Sequence, residues 1–539
     1  MSPFAACCRG VYSCRWKRLR KGGENKCSCC WFSVLTLITL LSVFWMYICL
    51  VTSNDQEDVN WKGFVKLRRW VNWFMVLVVT SAVLTSYCVL LLLFALFQVA
   101  LAEPLNLHWL HKCLLFLGLL FISVGLIGIS LQWKREWPTV LLSLQATAPF
   151  VQFGAVGGLV LLSPFVFEGF RTAKTKCIKW NSRSHFLMVS VYAAVSAAIL
   201  LCPLLIRSPC LIDHSDLPQK PKLVGHRGAP MLAPENTMMS FQRSLQCGVA
   251  AFETDVQISK DRIPFLMHDE HSGFLRRTTD VRKKFPDKDF NRSSELTWKD
   301  LQSLNAGEWF LQTDPFRSLA GLSVEDRDEA RNQSVPSLLQ LLLLAKAHNV
   351  SVMFDLYSPD QEIDTVEVVR TILVSEMDPN LVLWLPPAER DYVKIAAPGF
   401  IHVYNNEHAM FQDGGSRLNL HCSKLSMSKI RELVSQNVTV NMWMVNESWL
   451  FSLLWCAGVS SVTTNACHLL RDMERPDWIM PHRMYTTVWI TVDVVSIVLI
   501  IGLYFLQEKG YCCQREESKE ERKKLSWNEN ELLPFLPTV

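Results

Sequence analysis

The stretch that decides the fold of this chain reads His226-Arg227-Gly228, then Pro234-Glu235-Asn236, then Glu253-Thr254-Asp255, and then His268-Asp269. Short apolar runs lead into the histidine and carboxylate groups, so these groups are predicted to stand where β-strands end. Two histidines, an arginine and several carboxylates can together bind a divalent cation, hold a phosphate and transfer a proton. A structural core has no need for all of these at once, so the stretch predicts an active site.

The region from about 220 to 475 alternates short apolar runs with amphipathic stretches, a pattern that indicates a parallel α/β sheet. The predicted strands are 222–226, 250–257, 263–268, 351–356, 381–385, 400–404, 438–445 and 459–463. The predicted helices include 337–348, 363–375, 428–436 and 448–456. This pattern fits an α/β TIM (β/α)₈ barrel, whose active site lies at the carboxyl ends of its strands. The polar stretch 271–334 is interpreted as an insertion after the third strand, with 296–304 as its one helix.

Half of the chain is hydrophobic, and the apolar residues are concentrated in blocks long enough to cross a bilayer. The predicted spans are 31–52, 74–101, 110–132, 139–164, 186–206 and 487–506. The chain is therefore predicted to be a multi-pass α-helical membrane protein. Its predicted parts are a basic, cysteine-rich tail (1–30), five membrane helices (31–206), an aqueous domain (208–485), a sixth membrane helix (487–506) and a second tail (507–539).

The orientation of these spans is predicted from charge and from sequons. The amino-terminal tail is rich in lysine and arginine, which places it in the cytosol by the positive-inside rule. Six spans then leave both termini in the cytosol and the aqueous domain outside. The Asn-x-Ser/Thr sequons within that domain agree with this topology as expected glycosylation sites. They are Asn291, Asn332, Asn349, Asn437 and Asn446.

Five cysteines lie in the domain predicted to face an oxidising space, where disulfides can persist. They are Cys210, Cys247, Cys422, Cys456 and Cys467. Because five is odd, at least one of them stays free or pairs elsewhere, and the sequence leaves the connectivity open.

The residue types of the deciding stretch suit phosphodiester chemistry. Hydrolysis of this anion needs positively charged groups close to the phosphoryl oxygens, a base for the attacking hydroxyl and an acid for the leaving alkoxide. Glu253 and Asp255 alternate on one strand, so both point into the barrel mouth as oxygen ligands suited to Ca²⁺ or Mg²⁺. Arg227 offers a fork of donors to phosphate. His226 and His268 titrate nearest neutral pH and are the candidate acid and base.

Each of these signals alone also has a structural interpretation. A single histidine at a strand end is usually structural, and Glu253 with Asp255 could be a solvated strand end. The run 234–237 alone looks like a helix entry, with Asn236 as the N-cap. The combination, in this order and at these strand ends, favours the catalytic interpretation.

The same residues resemble the signature of the glycerophosphodiester phosphodiesterase family. The resemblance rests on His226-Arg227-Gly228, Pro234-Glu235-Asn236, Glu253-x-Asp255 and His268-Asp269. It implies a TIM barrel of the type shared with phosphatidylinositol-specific phospholipases C. The predicted spans resemble the six-transmembrane vertebrate branch of that family.

This resemblance implies metal-dependent hydrolysis of glycerophosphodiesters at the outer face of the plasma membrane. The substrate that it implies is glycerophosphoinositol, cleaved to inositol 1-phosphate and glycerol, with Ca²⁺ as the expected ion and Mg²⁺ as the alternative. It implies that His226 and His268 are the acid–base pair. The implied metal ligands are Glu253, Asp255, His268 and Asp355, and the implied substrate-binding residues are Arg227, Glu235, Tyr357 and Trp443.

One departure from the family pattern concerns the next barrel strand. The family usually carries Glu-x-Lys there, whereas this chain has Asp355-Leu356-Tyr357. Asp355 can still bind a metal from a shorter side chain, but Tyr357 cannot supply the positive charge of the lysine. Both the rate and the substrate preference are therefore left open.

Other functions remain as alternatives. One is phospholipase C- or D-like cleavage of glycosylphosphatidylinositol anchors, lysophospholipids or glycerophosphocholine, and another is a catalytically weak receptor or adhesion module. A channel or transporter is disfavoured because the predicted spans carry few ionisable groups. The net charge of +4 gives no sign of a nucleic-acid partner, and the sequence does not identify a protein partner.

Overall fold

The strands lie in one sheet in the carboxyl-terminal half of the chain, after a series of apolar helices. The computed structural model describes residues 7, 10–14, 28–67, 69–100, 105–132, 136–176, 182–268, 273–290, 292–356 and 361–532. The strands are β1 (Lys222–His226), β2 (Ala251–Ile258), β3 (Pro264–Leu266), β4 (Ser351–Leu356), β5 (Val382–Trp384), β6 (Ile401–His402), β7 (Arg417–His421), β8 (Thr439–Trp443) and β9 (Ser461–Thr464).

The helices fall into a mostly apolar group before the sheet, a set of shorter helices among the strands and a long helix after it. The first group is α1 (Ser28–Val51), α2 (Gln56–Leu67), α3 (Trp73–Ala100), α4 (Trp109–Gln132), α5 (Glu136–Lys176) and α6 (Ser182–Leu201). The helices among the strands are α7 (Met238–Gln246), α8 (Phe274–Thr278), α9 (Val281–Lys284), α10 (Trp298–Gln302), α11 (Glu308–Thr313), α12 (Val324–Arg331), α13 (Leu338–His348), α14 (Gln361–Val374), α15 (Arg390–Ala396), α16 (Glu407–Gln412), α17 (Met427–Ser435), α18 (Ser448–Ala457) and α19 (Cys467–Arg471), and α20 (His482–Leu532) follows them.

The sheet is a nearly closed parallel barrel. Its strand order is β6-β5-β4-β2-β1-β9-β8-β7, and the paired neighbours along this path are parallel. A parallel bridge between Tyr404 and Leu418 brings the end of β6 to β7. Eight strands therefore surround one interior, and the prediction of a TIM barrel is confirmed.

One of the strands predicted for the barrel is instead a hairpin partner of β2. The predicted third strand, 263–268, contains β3, which pairs antiparallel with β2 and lies off the barrel path. The turn before it is tight, since the amide of Ser259 donates to the carbonyl of Ile263 over 3.0 Å. A parallel crossover needs a dozen or more connecting residues, so only an antiparallel partner can follow β2 this closely.

The strand that the sequence analysis missed is β7. Its apolar residues Leu418 and Leu420 are buried, but they alternate with the polar Asn419 and His421. The polar positions are buried too. The amide of Asn441 on β8 donates to the side-chain oxygen of Asn419 over 2.8 Å, so a polar belt replaces the apolar pattern that normally marks a buried strand.

The alternation of side chains along the strands separates the barrel interior from its outer layer. Val224, Ala251 and Met353 belong to a small apolar cluster inside the barrel. The next inward positions on β2 are Glu253 and Asp255, two and four residues after Ala251. The interior is therefore apolar at its base and polar toward the carboxyl ends of the strands, where a TIM barrel carries its site.

The insertion between β3 and β4 is more helical than predicted. It contains the five short helices α8–α12 in place of one helix. It also has a small core of its own, which includes Leu275, Leu296 and Leu304 together with Phe265 of β3. This core holds α8 beside the open end of the barrel.

Two disulfides connect the beginning of the barrel sequence to its end. Cys210 pairs with Cys456 and Cys247 pairs with Cys467, with Cα–Cα distances of 5.2 and 5.8 Å. Cys422 is buried and takes part in neither disulfide. The structure thus gives the connectivity that the sequence left open, with the fifth cysteine outside both disulfides.

Several helices are apolar enough for a membrane. Five helical stretches within the described residues have the length and composition to cross one. They are 30–67, 73–98, 109–131, 137–167 and 482–509, and they overlap five of the six predicted spans. The remaining predicted span, 186–206, corresponds to a shorter apolar stretch, Val189–Leu205.

The link between α1 and α3 contacts the barrel. The side-chain amide of Asn54 donates to the carbonyl of Met444 over 2.9 Å, and its oxygen accepts from the amide of Asn446 over 2.8 Å. On a second contact surface, the indole of Trp478 donates to the carbonyl of Ala146 in α5 over 3.1 Å. The barrel is therefore packed against the apolar helices at two places.

Candidate active site

A cavity of about 490 Å³ opens at the carboxyl ends of the barrel strands. Its wall includes most of the residues predicted for the site. These are His226, Arg227, Glu253, Asp255, His268, Asp355 and Trp443. Tyr357, Asp269 and Asn291 lie outside the described residues.

Three carboxylates meet in this cavity. Asp255 and Asp355 are direct partners in the register of β2 and β4, and Glu253 precedes Asp255 by two residues on the same side of β2. One carboxylate oxygen from each of the three lies within 4.8 Å of the others. Burial, with the neighbouring Asp255 and Asp355, raises the pKa of Glu253 well above its ordinary value, and Arg227 opposes this only in part.

Asp255 has the opposite electrostatic environment. Burial disfavours its charge, yet His268, Arg227 and His226 together hold the pKa of Asp255 below its ordinary value. The side-chain amide of Asn236 also donates to its Oδ2 over 3.1 Å. Asn236 is thus not the N-cap of α7, a role that Thr237 takes by accepting from the amide of Ser240.

His226 lies between β1 and the carboxylates. Its Nδ1 is 2.6 Å from Oδ1 of Asn465, and its Nε2 is 3.9 Å from Oε2 of Glu253. Burial and the adjacent charge of Arg227 lower the pKa of His226 to about 3. The imidazole is therefore neutral at neutral pH, and because an amide oxygen only accepts, the proton lies on Nδ1. Nε2 keeps its lone pair on the side of the cavity.

His268 approaches the cluster from the other side. Its Nε2 lies 4.0 Å from Oδ1 of Asp255. Its ring packs against Phe274 of α8, with the ring centroids 4.3 Å apart. The insertion thus orients this histidine, and the two predicted acid–base residues stand on either side of the carboxylates.

Arg227 is fixed by backbone and side-chain contacts. Its φ is +52°, and its amide donates to Oε2 of Glu253 over 3.1 Å. Its Nε lies 3.1 Å from Oδ2 of Asp255. The next residue, Gly228, has a φ of +87°, and a Cβ there would come within 2.6 Å of the backbone of Ser240. Gly228 is therefore required for packing against α7.

Glu235 was expected to line the phosphate pocket, and the structure does not place it there. It is not among the residues that line the cavity. Its Oε1 accepts from Nη1 of Arg227 over 3.2 Å, and its Oε2 accepts from Nη2 of Arg277 over 3.1 Å. Burial opposes its charge, but the two arginines hold the pKa of Glu235 below its ordinary value. Because a carboxylate repels phosphate, Glu235 is suited to holding Arg227 in position and not to binding the substrate.

Several cavity residues were not predicted from the sequence. They are Asp55, Glu57, Asp58, Trp61, Asn419, His421, Lys424 and Asn465, among others. The first four belong to the link after α1, far from the barrel in sequence, and nothing in their local pattern marks them. Asn419 and His421 could have been found from the alternation on β7, had that strand been recognised.

The charges of the cavity wall fit a bound cation. Six carboxylates face two permanently cationic side chains among the described wall residues. The carboxylates are Asp55, Glu57, Asp58, Glu253, Asp255 and Asp355, and the cations are Arg227 and Lys424. Such a wall repels a phosphodiester unless a divalent cation compensates for it. Hard oxygen ligands at this separation suit Ca²⁺ or Mg²⁺, so Glu253, Asp255 and Asp355 fit such an ion.

Known proteins are similar to this chain along most of its length. Residues 226–469 match the sequence profile of the glycerophosphoryl diester phosphodiesterase family. A glycerophosphoinositol inositolphosphodiesterase of Mus musculus is 42% identical over 525 residues, which cover 96% of this chain and 95% of that protein. Its namesake in Homo sapiens is 41% identical over 515 residues, 94% of each chain.

The chain belongs to the glycerophosphodiester phosphodiesterase family. It is therefore a phosphoric diester hydrolase, as the sequence predicted. Among solved structures, an Oleispira antarctica phosphodiesterase bound to the product sn-glycerol-3-phosphate is 20% identical. It covers 47% of this chain and 95% of its own with a TM-score of 0.39, which is too low to transfer any detail of its site.

Replacing His226 by alanine in this phosphodiesterase is expected to lower kcat by at least about a hundredfold, because the variant loses the neutral Nε2 beside the carboxylates. The measurement is turnover of a glycerophosphodiester by purified, full-length protein, with the amount of folded protein checked by thermal unfolding. His348→Ala, on an exposed histidine at the end of α13, is the matched control. Wild-type turnover by His226→Ala would remove His226 from the acid–base pair.

Proposed function

We propose that this phosphodiesterase hydrolyses glycerophosphoinositol to inositol 1-phosphate and glycerol in a reaction that requires a divalent cation, with Ca²⁺ as the expected ion. The observation that carries the proposal is that His226, His268 and Arg227 surround the carboxylate cluster in one cavity. The mouse and human relatives are named for this activity and match nearly the whole chain. That similarity supports the same substrate.

In the proposed reaction, His226 and His268 divide the two proton transfers. The neutral Nε2 of His226 takes the proton from the attacking water, and His268 supplies a proton to the glycerol oxygen as it leaves. The guanidinium of Arg227 donates to the non-bridging phosphoryl oxygens. Asn465 holds the tautomer of His226 through the contact at Nδ1.

The metal role in this proposal falls to Glu253, Asp255 and Asp355, with His268 adjacent to Asp255. A cation held there would supply Lewis-acid stabilisation of the phosphoryl oxygens. It would also oppose the burial and the neighbouring carboxylates, which together raise the pKa of Glu253.

The test is to incubate purified full-length protein with glycerophosphoinositol, glycerophosphocholine, a lysophospholipid and a glycosylphosphatidylinositol-anchored protein, and to identify the products by mass. We expect inositol 1-phosphate from the first substrate and slower turnover of the others. EGTA should abolish the reaction and added Ca²⁺ should restore it. Choline release at the higher rate would overturn the substrate assignment, and full activity in EGTA with EDTA would overturn the metal requirement.

Lys424 is the proposed source of the positive charge that the family pattern places at the position of Tyr357. It follows β7 and lines the cavity. Its backbone amide donates to the carbonyl of His421 over 2.9 Å, a turn that brings the lysine back to the rim. With Arg227 after β1 and Lys424 after β7, cationic groups would reach the substrate from separate sectors of the barrel.

Lys424→Gln is expected to raise the KM for glycerophosphoinositol roughly tenfold, because a charged hydrogen-bond donor to phosphate is worth about 1.5–3 kcal/mol. Initial rates over a range of substrate concentrations measure this effect. Lys429→Gln is the control, since Lys429 pairs with Glu407 and Glu432 at 3.0 Å and is not among the described cavity residues. An unchanged KM in Lys424→Gln would show that the charge comes from elsewhere.

The proposed location is the plasma membrane, with the barrel outside the cell and both termini in the cytosol. The contact of Asn54 with Met444 and Asn446 supports this topology. The link between α1 and α3 must lie on the same side of the membrane as the barrel that it contacts. If the basic tail before α1 is cytosolic, one crossing by α1 puts both the link and the barrel outside. The two disulfides of the barrel also favour an oxidising compartment.

Glycosylation tests this topology. Asn332, Asn349 and Asn437 are exposed, whereas Asn446 is buried and its Nδ2 donates to the carbonyl of Asn54 over 2.7 Å. The fold thus has no room for a glycan on Asn446, and the proposed glycosylation sites are Asn291, Asn332, Asn349 and Asn437.

We expect protein expressed in animal cells to shift on electrophoresis after enzymatic deglycosylation, and the Asn→Gln changes at Asn291, Asn332, Asn349 and Asn437 together to abolish that shift. Asn446→Gln should leave the number of glycans unchanged. A wild-type chain without any glycan would contradict the external location of the barrel.

A further inference from the structure

A cluster of four charged side chains connects the link between α1 and α3 to the candidate active site. Glu57, in the first turn of α2, has its Oε1 3.3 Å from Nη2 of Arg277 and 3.9 Å from Nη1 of Arg227. Glu235 completes the cluster by pairing with the same two arginines. All four side chains are at most 13% exposed, so these charges are held in a desolvated setting where each partner matters.

Aromatic rings hold this cluster in place. The guanidinium of Arg277 lies 4.7 Å from the ring of Trp61 and 5.5 Å from that of Trp70, both from the segment between α1 and α3. It also lies 4.2 Å from Phe274 of the insertion. Trp61 packs on Phe274 with the ring centroids 4.6 Å apart. Cation–π contacts therefore join the link between α1 and α3 to the insertion beside His268 and Arg227.

The start of the link is fixed on the barrel by hydrogen bonds. Besides the contacts of Asn54 already described, Ser53 donates to Oε1 of Glu447 over 2.8 Å. Asn54 is only 4% exposed. The position of Glu57 is thus set at one end by Asn54 and at the other by Trp61, and the link covers one side of the cavity that it helps to line.

We propose that residues 53–61 of this link form part of the active site and that Glu57 is a positioning residue for Arg227. Asp255 attracts the guanidinium at Nε, whereas Glu235 and Glu57 both attract it at Nη1. Without this third carboxylate, the fork that is proposed to hold phosphate would turn toward the metal ligands. Catalysis in the barrel therefore depends on a segment that belongs to the membrane part of the chain. This inference rests on the proposed function.

The test compares Glu57→Gln and Glu57→Asp in the full-length protein, with Glu376→Gln as the control. Glu376 is an acid on the barrel surface whose side chain is 84% exposed. We expect kcat to fall about tenfold or more in Glu57→Gln, because small displacements of a binding group slow the chemical step more than they weaken binding. KM should change less than about threefold, Glu57→Asp should keep more activity than Glu57→Gln, and Glu376→Gln should match the wild type.

Wild-type kcat in Glu57→Gln overturns the inference. So does an equal loss in both Glu57 variants together with a lower unfolding temperature, since that pattern indicates a structural role. If Glu57→Gln does not accumulate, Trp61→Leu replaces it, with a smaller loss of kcat expected and an unchanged kcat counting against the inference. A wild-type chain that turns over none of the substrates overturns the proposed function, and this inference with it.

Discussion

The crowding of three carboxylates at the mouth of one barrel is the constraint on which the rest of the site depends. The parallel register of β2 and β4 places Asp255 beside Asp355, and the alternation along β2 adds Glu253. Two like charges about 4 Å apart repel by about 4 kcal/mol near a protein surface. The surrounding residues partly offset this repulsion, since Arg227 and Asn236 contact Asp255 and the backbone of Arg227 contacts Glu253. A divalent cation would offset it more completely.

The barrel does not form its site independently of the apolar helices that precede it. The charged cluster of Glu57, Glu235, Arg227 and Arg277 brings together the link after α1, the loop after β1 and the insertion after β3. Removal of one partner from such a buried cluster leaves an uncompensated charge, which is costly. The geometry of the site is therefore tied to the way in which the barrel packs on the apolar helices.

Much of the barrel and its mouth could be predicted from the sequence, because both are encoded locally. Period-two alternation puts Glu253 and Asp255 on the inner side of β2 from sequence alone. The predictions failed where the answer depends on distant partners. The role of Glu235 is set by Arg277, which no sequence pattern connects to it, and the contribution of Glu57 requires knowing that α2 contacts the barrel. β7 was missed because its inward residues are polar, and Asn446 fits a glycosylation motif although Asn54 occupies its amide.

The binding of the cation itself tests this account most directly. Calcium titration calorimetry of the purified full-length protein should give one ion per chain, and Glu253→Gln should abolish that binding while Glu376→Gln retains it. Binding that persists unchanged in Glu253→Gln, or a wild-type chain that binds neither Ca²⁺ nor Mg²⁺, would contradict it.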